Sequence, residues 1–140
     1  METIFTILGL IIASVGLCYA IKTYNAQFQS KPDEELQHLK AQFKANQTLS
    51  LRVQMDLEKF IQENNAWEEY MFPGVKYGTY LEEMKHSFKV NLSDDLFNEL
   101  ESLDLTKTNI LSMTNSLDEQ FKALSQIQTS LLLQQRQHNQ

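Results

Sequence analysis

The sequence predicts an all-α protein: a single N-terminal transmembrane helix followed by a long-helix coiled-coil hairpin or bundle. Three observations predict it. Thr3 to Ile21 is a stretch of 19 residues without one charged side chain. Only four glycines and two prolines occur in 140 residues. Two heptad seams of apolar residues fill the remainder, separated by a single Pro-Gly turn.

The uncharged stretch is long enough to cross the hydrocarbon core of a bilayer at about 1.5 Å per residue. Small residues recur along it at Thr6, Gly9, Ala13, Gly16, Ala20 and Thr23. That stripe lets helices approach closely, which is how transmembrane helices associate where lipid supplies no hydrophobic drive between them. The chain opens Met1-Glu2-Thr3 without the basic residues of a secretory signal, and Leu17 precedes Cys18 where a lipidation signal needs a small residue. An uncleaved anchor over residues 1–30 is therefore expected, including a juxtamembrane extension through Tyr24 and Phe28. Lys22, Lys31, Lys40 and Lys44 follow the span and no basic residue precedes it. The positive-inside bias puts the N-terminus outside and the remaining domain in the cytoplasm of an inner (cell) membrane protein. Cys18 is alone in the chain, so it can pack, be palmitoylated or bridge to another molecule, but it cannot staple its own fold.

Residues 31–140 form the expected cytoplasmic helical domain. Ser30-Lys31-Pro32 breaks the first helix, and Asp33, Glu34 and Glu35 suit the positive end of a new one. A long helix is expected over 32–71, with the seam Leu36, Leu39, Phe43, Asn46, Ser50, Val53, Leu57, Phe60, Asn64, Trp67, Met71. Its mean spacing of about 3.5 residues is that of a coiled coil. Leu49 and Ile61 widen the seam toward a bundle of more than two helices. Phe72-Pro73-Gly74 ends the pattern, and 72–92 reads as a turn with a short helix whose Tyr77, Leu81, Met84 and Phe88 share a face. Ser93 reads as an N-cap, with Leu92 set to staple against Phe97. A second long helix is expected over 93–137, with the seam Leu96, Leu100, Leu103, Lys107, Ile110, Thr114, Leu117, Phe121, Leu124, Gln128, Leu131 and a weak point near Leu105-Thr106-Lys107. Folded back as an antiparallel hairpin, the two seams would set Phe43 near Phe121 and Ser50 near Thr114. The same heptads would serve a parallel homo-oligomer, with Asn46 and Asn64 fixing register and oligomer number.

Chemistry is sparse. All 12 Lys and Arg follow the uncharged stretch, against 18 Asp and Glu of which only Glu2 precedes it, so the part after the span is acidic and duplex nucleic acid is excluded as a partner. His38, His86 and His138 lie far apart, without metal-ligand spacing. The pairs Glu68-Glu69, Glu82-Glu83 and Asp94-Asp95 are adjacent residues that diverge on a helix, as solvated faces do. Neither a catalytic motif nor a cofactor motif is present, and the chain reads as a binding protein and not as an enzyme.

One region stands out. Trp67, Tyr70, Phe72, Tyr77 and Tyr80 are five of the 14 aromatics, close to Lys76 and Lys85. A packed cap on the bundle accounts for them. The functional alternative is a recognition surface formed by Trp67, Tyr70, Lys76, Tyr77, Tyr80 and Lys85, since Trp and Tyr offer rigid contact area and the lysines could meet an anionic partner. Two functions follow. The first is a membrane-anchored, self-associating scaffold or assembly subunit that binds a protein partner. The alternative is a ligand-gated, membrane-perturbing effector of the defence or toxin type, whose cytoplasmic domain senses a small anionic signal such as a cyclic nucleotide.

Overall fold

The computed structural model describes residues 33–138. The anchor expected over residues 1–30, with the stripe Thr6, Gly9, Ala13, Gly16, Ala20 and Thr23, lies outside them. None of the described helices is long and apolar enough to cross a membrane.

Helix α1 spans Asp33–Asn64, with Asp33, Glu34 and Glu35 in its first turn. The acidic side chains sit where the unpaired N–H groups carry partial positive charge. At 32 residues it is about 48 Å long. Every seam position from Leu36 to Phe60 is buried, so the heptad reading holds over that stretch. The helix stops at Asn64 and does not continue to residue 71. Asn65 turns into the left-handed region at φ 51°, and the Ala66 N–H donates back to the Ile61 carbonyl at 3.0 Å. This is the closure of a Schellman motif, accompanied by its usual apolar contact: Ala66 and Ile61 are both buried in one cluster. Asn is among the few non-glycine residues that tolerate this geometry.

After the stop comes a two-stranded antiparallel hairpin, β1 Tyr70–Phe72 and β2 Val75–Lys76, which the periodicity did not predict. Pro73 and Gly74 form its two-residue loop. Gly74 has φ 81°, as the third position of a type II turn requires. Helix α2 follows over Tyr77–Asn91, and Tyr77, Tyr80, Leu81 and Met84 are buried along it. Ser93 caps the short helix α3, Asp94–Glu99, by accepting from the Leu96 N–H at 3.2 Å. Leu92 and Phe97, the expected staple, belong to one cluster.

The second long helix is divided. Between α3 and helix α4, Lys107–His138, Leu100, the C-cap of α3, and Leu105 lie outside both helices and are buried in the core. Thr106 starts α4 as its N-cap: its Oγ1 accepts from the Asn109 N–H at 3.2 Å and its carbonyl from the Ile110 N–H at 3.0 Å. The α4 seam keeps Ile110, Leu117, Leu124 and Leu131, but its alternate positions are Met113 and Ile127, both buried, in place of Thr114 and Gln128. Phe121 is exposed at the edge of that seam.

The antiparallel hairpin of α1 and α4 is corrected. Lys107 pairs with Glu35 at 2.8 Å, Asn46 donates to the Leu117 carbonyl at 3.0 Å, and Gln128 donates to Asp56 at 3.3 Å. Partner numbers rise together along both helices, so α1 and α4 run parallel. The return stroke is α2, where Lys85 meets Glu58 at 3.1 Å and Gln47 donates to the Leu92 carbonyl at 2.6 Å, with numbers running in opposite senses. The connection is a whole helix of 15 residues and not a turn, so the third pass travels in the direction of the first.

The core has two parts. At the tip, Val53, Leu57, Phe60, Leu81, Ile127 and Leu131 pack with Ala66, Tyr77 and Tyr80. At the base, Leu39, Phe43, Leu92, Leu100, Ile110 and Leu117 pack together. Phe97 covers the base. Its ring lies 5.6 Å from that of Phe43, and the Lys44 ammonium sits 4.2 Å above it. Lys44 also reaches Asp94 at 3.0 Å, and Lys40 pairs with Glu101.

Candidate functional site

The tip is built by the segment between α1 and α2. Residues 67–69 cap the start of α2 through their backbone: the Tyr77 N–H donates to the Glu69 carbonyl at 2.9 Å and the Gly78 N–H to the Trp67 carbonyl at 3.1 Å. Lys76, at the N-cap position, makes no side-chain cap. The two carbonyls satisfy donors that a helix leaves open at its N-terminus. This places the Trp67 ring directly over Gly78, where an added Cβ would lie 2.5 Å from its Cε2 atom. Glycine is needed there for space.

The six residues of the expected surface divide into three pairs. Trp67 is 44% exposed and Tyr70 66%, and these two form the accessible aromatic face. Tyr77 and Tyr80 are buried. The Tyr77 ring packs 5.1 Å from Phe60 and its hydroxyl donates to Gln134 Oε1 at 2.8 Å, while Tyr80 meets Phe72 edge-on at 5.8 Å. Burial pushes both phenols above their ordinary pKa. They are core residues and are withdrawn from the recognition surface. Lys76 and Lys85 are engaged by carboxylates, Lys76 with Glu68 and Lys85 with Glu58. The Glu68 carboxylate holds the Lys76 ammonium above its usual pKa. Both pairs stand in solvent, where screening leaves them weak and they open readily.

A second feature lies midway along the bundle and carries no signal in the periodicity. α2 and α4 splay apart over α1, leaving a narrow cleft of about 40 Å³. Its walls are apolar, with Met84, Phe88, Leu124 and Ile127 among them, and its polar groups are Ser50, Ser87 and Gln120. No cation lines it. Among the described residues, no three His, Cys, Asp or Glu side chains are grouped so as to hold a metal ion.

Comparison with family models, curated proteins and solved structures returns no match for this chain.

Proposed function

We propose that this chain is a membrane-anchored, self-associating helical scaffold or assembly subunit that works by binding a protein partner, without catalysis. The observation that carries it is the separation of ends. The apolar segment precedes Asp33 at the base, whereas Trp67 and Tyr70 stand exposed at the opposite end of α1, about 48 Å away. A bundle tethered at its base by a single span holds such a tip away from the bilayer, where a partner in the cytoplasm can reach it. Exposed Trp67 in the turn and Tyr70 at the start of β1, buttressed by a helix, supply rigid contact area at small entropic cost. The stripe from Thr6 to Thr23 supplies self-association in the membrane, and Leu at Gly9 and Gly16 should weaken it.

The gated-effector reading ranks second. An anionic signal such as a cyclic nucleotide would have to compete with Glu68 and Glu58 for Lys76 and Lys85, and the interior cleft offers no positive charge. Induced expression of the full chain carrying a photo-crosslinking amino acid at position 70 separates the two. The scaffold reading expects harmless expression and a discrete crosslinked protein, lost when Trp67 becomes Ala. Depolarisation of the membrane on expression, with no crosslinked protein, would instead favour the effector.

A further inference from the structure

All three long helices carry polar side chains at one height. Asn46, Gln47 and Ser50 come from α1, Ser87 and Asn91 from α2, and Gln120 from α4. This layer divides the apolar interior into its tip and base clusters. Asn46 is fully buried at its centre. Its Nδ2 donates to the Gln42 and Leu117 carbonyls, both at 3.0 Å, while its Oδ1 is buried without a partner. Two carbonyl acceptors fix the orientation of the amide, because reversing it would set oxygen against oxygen.

An unsatisfied buried oxygen is unfavourable, so what Asn46 contributes must be sought outside packing. The apolar positions of α1 and α4 both repeat every seven residues, as Val53 and Phe60 do on one and Leu117 and Leu124 on the other. Hydrophobic burial is non-directional. Sliding α4 by one heptad, about 10.5 Å, therefore mates apolar side chains again. At the level of the polar layer the registers differ in hydrogen bonding, besides losing the peripheral Glu35–Lys107, Asp56–Gln128 and Tyr77–Gln134 contacts. With α4 moved toward the tip, Asn46 would come level with Ile110, whose carbonyl already accepts from Thr114 Oγ1 at 2.8 Å. With α4 moved toward the base, Gln120 would fall beside Leu39 and Phe43 in the base cluster.

We propose that Asn46 is a register pin, which holds α4 in a single parallel alignment with α1. A polar residue at one seam position can specify register at the expense of stability. The test is disulfide trapping in the full-length chain in detergent micelles, with Cys18→Ser to remove the native thiol. Cysteines at Glu35 and Lys107 report the native register; Gln42 with Lys107, and Glu35 with Thr114, report slides of one heptad either way. With Asn46 present, only the native pair should close. Asn46→Leu should lower the native yield at least twofold and make a slipped pair reactive, without lowering the melting temperature. Asn46→Ala should melt earlier yet show the same loss of selectivity, so the reading survives a failure of either variant to fold. Undiminished native yield and unreactive slipped pairs in whichever variant folds would overturn the proposal and reduce Asn46 to a packing residue.

Discussion

Gly78 is the position where one methyl group would decide the shape of the tip. Its replacement by Ala forces the Trp67 ring aside, because the new Cβ would stand 2.5 Å from it. Overpacking of this kind costs about 1–3 kcal/mol. Trp67 is the single tryptophan, so the shift reads directly: Gly78→Ala should move its emission toward that of a solvated indole, with helicity retained. Tyr77 and Tyr80 give a prediction about pH. Both phenols are raised in the folded state by burial, so the folded chain holds their protons more tightly than the unfolded one. The stability they contribute is fully present below the unfolded value, about 10, and is lost as pH rises through the folded values. An alkaline titration followed by tyrosine absorbance and circular dichroism should show these two ionising only as helix is lost. At the base the sign reverses. The Lys44 ammonium, with the Gln47 amide, holds the Asp94 carboxyl below its ordinary range, and Lys107 does the same for Glu35. Their small contribution is present above the unfolded carboxylate value and fades as pH falls through the lower folded one.

Helix ends rest on single residues, and each can be tested by substitution. Asn65→Gly should preserve the left-handed stop of α1, whereas Asn65→Val should lower stability by about 1–2 kcal/mol in chemical denaturation, since a β-branched residue resists φ 51°. Ser93→Ala should cost about 1 kcal/mol by removing the cap on the Leu96 N–H. The seam of α1 was legible from Leu36 to Phe60, and so were the α2 face, the Ser93 cap and the Pro73-Gly74 turn. The misreading at Asn64-Asn65 has a physical cause: Trp67 and Met71 continue the heptad by spacing alone, and an asparagine stop carries none of the emphasis of glycine or proline. In α4, Phe121 drew the seam one position off, because a large side chain at a groove edge counts as apolar in the sequence yet stays exposed in the fold. Of the candidate surface, the aromatic content was legible, but the division between exposed Trp67 and Tyr70 and buried Tyr77 and Tyr80 depends on the hairpin, which no periodicity announces.

At the scale of the molecule, the described residues form an up-down-up bundle, and its odd number of long passes sets what stands where. A two-helix hairpin would return α4 toward Asp33, with Leu131 near it; three passes carry the chain to the tip a second time, so Gln134 meets Tyr77. A distance measurement between spin labels at Glu35 and Lys107 should accordingly be short, and one between Glu35 and Gln134 close to the rise of α4 from Lys107 to Gln134, about 40 Å. The central claim is that this bundle stands on its anchor and displays the tip away from the bilayer. Trp67 is the built-in probe, and the most direct measurement is quenching of its emission in the full-length chain reconstituted into vesicles. Quenchers attached to the lipid acyl chains or headgroups should leave the emission unchanged while a water-soluble quencher reduces it. Strong quenching by the lipid-borne groups would bring Trp67 to the membrane and contradict the account.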